Sequence, residues 1–405
     1  MSSNRFSPRS LAAAVGVVLL AAGCSPGEMG DALGAVSGDG EQERGLGAPT
    51  ATFPEDFGTI QTVRELDDGR LLVADPLGGA LYEVDMDAGT RTQIGAEGQG
   101  PEEYRQPDAV WPLPGDSSLV VDLGNGRLMT LGPDFTFGAT SPLSAGDPRS
   151  GMVVAIPQGV DGAGNVYARS MGGGMGELPD SGAVLRVTRG SLAVDSVAMY
   201  KLQERTRTTS GGPDNQNVSI QQVPLSGEDA WGVAPDGSVV IARSGDYHVE
   251  WHSPDGSVIS GSPVEYDPVR IGTAEKEEYI RRQGQSGGGI GIEVSIENGA
   301  MQTSFRRGGG GGDEGIDQYP WPETKPPFYG GRILVDPMDR AWVRRHVEAG
   351  EAATYDVFDR DAEHVATYTL PNDRTVVGFG AEAVYVVAFD EFDLNYLERY
   401  RLPGA

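Results

Sequence analysis

One unit recurs six times along this chain: an apolar stretch, a tight turn, a second apolar stretch, a polar loop and a third alternating stretch. The turns are Asp67-Asp68-Gly69, Pro114-Gly115-Asp116, Asp161-Gly162-Ala163-Gly164, Pro235-Asp236-Gly237, Asp336-Pro337-Met338-Asp339 and Gly380-Ala381-Glu382. Gly, Asp and Pro suit such turns because they tolerate left-handed backbone, bond back to it or pre-set φ. The strands that follow end at Asp75, Asp122, Arg169, Arg243, Arg344 and Ala388, at spacings of 47, 47, 74, 101 and 44 residues. Three spacings match the period of about 40–50 residues of a four-stranded propeller blade, and two are that period lengthened by insertions. A β-sandwich does not repeat one such unit six times. The predicted fold is all-β, a six-bladed β-propeller, with the stretch near Ala51–Phe57 adding a strand to the last blade and closing the ring.

Composition agrees with a turn-dense β protein. Of 405 residues, 60 are Gly and 27 Pro, while only Lys201, Lys276 and Lys325 are lysines. Hydrophobic residues at 38% suffice for a core, and apolar runs recur to the C-terminus, which excludes disorder throughout. Against 31 basic residues stand 59 acidic ones, a net charge of −28. Nucleic acid is therefore excluded as a partner, because phosphate binding needs a basic footprint.

The first residues read as an address. Arg5 and Arg9 precede the apolar run from Leu11 to Leu20, followed by Ala21-Ala22-Gly23-Cys24. A basic start, a short apolar core and small residues before a cut site describe a secretory signal, too short to span a bilayer comfortably. Cys24 is the single cysteine, so it forms no internal disulfide. The expected organisation is a signal peptide over 1–23, a lipidated Cys24 with a flexible Gly-, Ala- and acid-rich tether over 24–52, and the propeller over 53–405. More than one acyl chain suffices for stable anchoring, and so acidic a body is repelled by anionic lipid, so the lipid alone is expected to contact the membrane.

Two segments carry a resemblance to known families. Leu20-Ala-Ala-Gly-Cys24 resembles a bacterial lipobox, which implies cleavage before Cys24 and lipid on its thiol. Ser25-Pro26 after the cysteine, without Asp, implies export to the outer membrane, facing the periplasm or the cell surface. Gly98-Gln-Gly-Pro-Glu-Glu-Tyr-Arg-Gln-Pro107 resembles the Gly-x-Gly-Pro-Gly-Glu-Phe-x-x-Pro loop of six-bladed bacterial propeller lipoproteins related to NHL-repeat proteins, with Glu102 in place of a Gly. The resemblance spans about residues 55–405 and implies the fold more than an activity.

The long pieces are 170–182, 201–224 and 267–328. By strand parity the first joins the second strand to the third and the others link blades, so all three extend one face. Loops this long in a compact domain are usually functional or disordered. Within the largest, Thr273 to Gln283 predicts a short helix, with Thr273 as N-cap, acids early and arginines late. Gly287–Gly289 and Gly308–Gly312 follow, without the Lys-Ser/Thr of a phosphate loop, so a flexible lid or plain low complexity is expected. Tyr319 to Tyr329, rich in Pro and aromatics, is a stacking surface or a stiffened return to the barrel.

The matched strand ends place Asp75, Asp122, Arg169, Arg243 and Arg344 in one ring on the elaborated face, acids on one side and arginines on the other. Guanidiniums suit carboxylate or phosphate. These five are the candidate ligand-binding residues, and interblade ion pairing such as Asp122 with Arg169 stays open beside that role. His248, Glu250 and His252 share a strand face, but on a third strand away from the axis, so no metal site is expected there. No Gly-x-Ser-x-Gly elbow and no catalytic cysteine is present. The expectation is a module binding an anionic small molecule, glycan or peptide, or a protein partner, without catalytic residues or cofactor; the alternative is a propeller hydrolase or lyase of lactonase type.

Overall fold

A computed structural model describes residues 43–145, 153–170, 178–212, 215–285, 288–297, 300–308 and 315–405. The signal segment, Cys24, most of the tether and part of the 170–182 insertion lie outside them.

Six blades of antiparallel strands follow one another along the chain; in blades 1 to 5 the first strand is followed outward by the next three, and in blade 6 by the next two. Blade 1 runs Val63–Glu65, Leu71–Asp75, Ala80–Asp85 and Thr90–Gln93, and blade 2 runs Pro107–Leu113, Ser117–Asp122, Arg127–Leu131 and Phe137–Pro142. Blades 3 to 5 begin at Gly159–Val160, Ala230–Val233 and Leu334–Val335, and blade 6 at Arg374–Phe379. Left-handed residues shape the first turns, among them Gly69, Gly115, Gly164, Gly237 and Asp339. The second strands are the most enclosed: every residue of Leu71–Asp75 is buried.

Six apolar clusters show how the ring holds. Each lies in the seam between two neighbouring blades, as Leu72, Ala74 and Leu81 of blade 1 meet Val110, Val120 and Met129 of blade 2. The sixth seam joins blade 6 to blade 1 through Val377, Tyr385 and Val387 against Val63, Leu71 and Val73. Six blades with six filled seams make a closed ring, a six-bladed β-propeller, as the repeat predicts. Closure comes from the N-terminal segment. Ala51–Thr52 pairs with Arg399 and Glu398 as the outermost strand of blade 6, and Phe53 and Phe57, 0% and 1% exposed, fill the last seam. Residues 44–52, assigned to the tether from sequence, contribute a further strand: Arg44–Gly45 lies parallel to Tyr368 and Thr369 on blade 5.

The Gly98–Pro107 loop ties blade 1 to blade 2. Gly100 N donates to the Glu103 carboxylate at 2.7 Å, Arg127 Nη2 donates to the Gly100 carbonyl at 3.0 Å, and buried Tyr104 reaches back with its hydroxyl to Ile94 O at 2.8 Å. A side chain at Gly98 would collide with the Glu103 carboxylate, which explains the glycine.

The insertions extend one face, between second and third strands or between blades. The 201–224 segment contains a hairpin, Arg205–Gly212 with Asn215–Gln222. The 267–328 segment contains the helix Thr273–Gln285 and the hairpin Ile290–Glu297 with Ala300–Arg307. The helix starts at Thr273 itself, and Glu275 closes its N-terminus by accepting from Gly272 N at 3.0 Å. Of the two glycine runs read as a lid or low complexity, Gly288, Gly289 and Gly308 border this hairpin, and Gly287 and Gly309 to Gly312 lie outside the described residues.

Candidate functional site

The strand-end residues fasten each blade to the segment that leads into it. Asp75, 3% exposed, accepts from the backbone amides of Gly58, Thr59 and Gly78 at 2.8, 3.0 and 2.8 Å. Asp122, fully buried, accepts from Arg105 N, Gln106 N, Asn125 Nδ2 and Arg127 Nε at 2.7–3.2 Å. Arg243 makes the same link through side chains, bridging Asp229 at 3.0 Å and Glu250 at 2.5 Å. Arg344 donates to Thr375 Oγ1 at 3.0 Å and lies over the rings of Tyr329 and Tyr355. Arg169 donates to Gln158 Oε1 at 2.6 Å and pairs with Glu228 at 2.5 Å. The five occupy matched positions but separate contacts, and of them Arg169 alone lines the cavity on the ring axis.

Burial alone would raise the Glu250 carboxyl, but Arg243, His252 and His248 together outweigh it and hold it at about 2. His248 and His252 reach Glu250 at 3.2 and 3.1 Å. Among the described residues no group of three or more His, Cys, Asp or Glu has the arrangement of a metal site.

A channel runs along the ring axis. One part, of about 330 Å³, is walled by first strands, including Val110, Val160, Val233, Leu334 and Val377. On the side of the elaborated face it continues into a space of about 660 Å³ between Gln61, Asp108, Trp111, Gln158, Arg169, Arg307 and Arg332. The insertion hairpin contributes Arg307, whose guanidinium pairs with Asp108 and bonds both carboxylate oxygens. Phe305, buried in the seam of blades 2 and 3, anchors that strand.

Arg332 faces the same space. It follows the long insertion on Gly331–Arg332, a two-residue strand parallel to Ala230–Trp231 of blade 4. Its Nη2 donates to the Gln61 carbonyl at 2.8 Å, and its guanidinium lies 5.4 Å from the centroid of the Trp111 ring. Among the described residues no ion pair holds it. Burial, then the nearby charge of Arg307, lowers its guanidinium to about 10, with Asp108 opposing. A partly buried cation without a bonded carboxylate is costly, and an anion placed against it offsets that cost.

Sequence reasoning missed Arg332, Arg307, Trp111 and the axial amides. The available signal was a polar residue two positions before the first inward valine of a first strand: Gln61 before Val63, Asp108 before Val110, Gln158 before Val160.

No family model matches the chain, and no curated protein matches it. Solved structures do overlay on it. Virginiamycin B lyase from Staphylococcus aureus is 9% identical, covering 88% of this chain and 98% of its own at a TM-score of 0.38. Regucalcin from Agrobacterium tumefaciens is 12% identical over 87% of this chain and 96% of its own, TM-score 0.37. A protein described as a putative gluconolactonase is 11% identical over 90% and 93%, TM-score 0.37. At these overlaps the likenesses carry no functional argument, and function rests on the site.

Proposed function

We propose that this is a lipid-anchored protein of the cell envelope whose propeller binds an anionic ligand in the axial mouth, with Arg332 as the receiving group. The observation that carries the reading is the state of Arg332: half-buried, beside Trp111, donating to one carbonyl and held by no ion pair among the described residues. A carboxylate or phosphate entering from the elaborated face meets a guanidinium whose fork matches its geometry and which no carboxylate among the described residues bonds. Arg169, oriented by Gln158, stands at the rim as a second donor. The wall of Trp111 and Ile156 beside these cations suits a ligand with an apolar or ring-shaped body, such as a uronic acid or an aromatic acid. The anchoring half of the proposal rests on Leu20-Ala-Ala-Gly-Cys24.

The hydrolytic alternative has less support. The one carboxylate at the mouth among the described residues is Asp108, and Arg307 occupies both its oxygens.

Titration calorimetry with citrate, galacturonate and inorganic phosphate tests the binding reading. At least one is expected to bind, and Arg332→Gln is expected to weaken it by about 1.5–3 kcal/mol, the scale of a hydrogen bond to a charged group. The unliganded variant should melt no lower than the parent, because a partly buried cation without a bonded carboxylate has been removed. A variant that melts far lower, with anion affinity unchanged, would make Arg332 structural and end the proposal.

A further inference from the structure

A second cavity, about 240 Å³, lies on the elaborated face between the helix Thr273–Gln285 and the strap that returns from the long insertion to blade 5. The Arg169–Glu228 pair stands between it and the axial mouth: Arg169 lines one, Glu228 the other. The strap is pinned by its backbone, with Lys325 N donating to Val269 O at 2.7 Å and His346 N to Pro327 O at 2.9 Å.

Two basic side chains in this cavity are 4% and 7% exposed: Lys325 and His346. Lys325 Nζ donates to the Val347 carbonyl at 2.7 Å and is in no ion pair among the described residues. The carboxylates near it are engaged elsewhere. Glu278 is held by Arg282 at 2.5 Å, and Glu275 accepts from Gly272 N and Ala349 N at 3.0 and 3.3 Å. The His346 ring lies 3.7 Å, centroid to centroid, from that of Tyr329, and its Nδ1 has no hydrogen-bond partner. Burial lowers the Lys325 ammonium, and burial followed by the Lys325 and Arg344 charges keeps His346 neutral. The lining carries Glu228, Glu275 and Glu278 against Lys325 and Arg282, so a free anion finds no excess of positive charge. A neutral electrophile meets no such obstacle.

We propose that this cavity is a covalent carbonyl site, in which the Lys325 amine condenses with a small aldehyde or ketone and His346 carries the proton. The amine lone pair attacks the carbonyl carbon, a C–N bond forms and the C=O π pair moves to oxygen. The His346 imidazole takes one proton from nitrogen and hands it to that oxygen, giving a carbinolamine; it then relays the second N–H proton to the hydroxyl as the nitrogen lone pair forms C=N and the C–O bond breaks, releasing water. Amine plus carbonyl gives imine plus one water, with no change of oxidation state. Buried lysines serve such chemistry because desolvation favours the neutral, nucleophilic amine. The volume admits a carbonyl compound of a few carbons.

The chain has three lysines, which makes the test internal. The purified protein is treated with propanal and sodium cyanoborohydride at neutral pH, and N-propylation is followed by peptide mass mapping. Lys325 is expected to react several-fold faster than Lys201 or Lys276, because burial lowers its ammonium and leaves more of it as the neutral amine. That preference should vanish in denaturant, and His346→Gln should slow Lys325 several-fold while leaving Lys201 unchanged. Reaction at Lys325 no faster than at Lys201 overturns the proposal. So does a preference that survives denaturation, or a folded His346→Gln protein in which Lys325 reacts at the parent rate. None of these outcomes touches Arg332, so this site and the axial mouth stand or fall separately.

Discussion

At the ends of the second strands of blades 1, 2 and 4 one position does one job with different chemistry. Asp75 and Asp122 collect backbone amides of the segment leading into their blades, whereas Arg243 reaches the carboxylate of Asp229 from the opposite side. The Arg243 latch has a pH signature. The folded Glu250 carboxyl sits at about 2, below the ordinary value of about 4.3. Its contribution is therefore present in full above that ordinary value and is lost as pH falls from about 5 toward 2. Allowing for solvent screening, that contribution is about 1–2 kcal/mol. Arg243→Ala is expected to cost about 3 kcal/mol at neutral pH, since it strands the buried Asp229 carboxylate. It should also flatten the fall of Tm with acid below pH 5; circular dichroism melts with parallel acid limbs for parent and variant would contradict the assignment. These strand-end residues were legible because each closes an apolar run of fixed period. Arg332 was not, because a two-residue strand paired in parallel after a long insertion has no period to betray it.

The elements of the repeat could be read from turns and spacing, and so could the closing strand near Ala51. The two insertion hairpins could not. Thr, Ser, Gln and Gly dominate Arg205–Gly212 and its partner, and glycine runs flank Ile290–Arg307, so composition hid an alternation visible in Ile290, Ile292, Val294 and Ile296. That concealed element delivers Arg307 to the axis, which is why the mouth was misjudged from sequence while the face was not. Closure is the element whose removal should be most damaging. A chain starting after Phe57 loses the outer strand of blade 6 and two Phe side chains, each worth about 3–5 kcal/mol when deleted from a core. Its Tm should fall by well over 10 °C by calorimetry, by the usual conversion of stability into melting temperature. A chain starting at Leu46 keeps those contacts and should melt close to the parent; equal melting of all three would show that closure does not depend on this segment.

For the whole molecule, the balance of 59 acids against 31 bases sets how it can sit near a bilayer. Anionic headgroups repel such a body, so attachment should depend on Cys24. Cys24→Ala is expected to move the protein from the membrane to the soluble fraction, or to leave it unprocessed; normal processing with full membrane retention would defeat the anchor. With Cys24 lipidated as proposed, the 19 residues from Ser25 to Glu43, spanning at most about 65 Å, would limit how far from the membrane the propeller can work. The same chain is also a line of force. Any pull arriving through Glu43 falls first on the parallel pairing of Arg44 and Gly45 with Tyr368 and Thr369, a short contact at the rim of blade 5. Only after that peels does tension reach Ala51–Thr52, Phe53 and Phe57, where the ring is fastened. The outer pairing therefore acts as a mechanical fuse, yielding slack under load before the clasp of the propeller is strained.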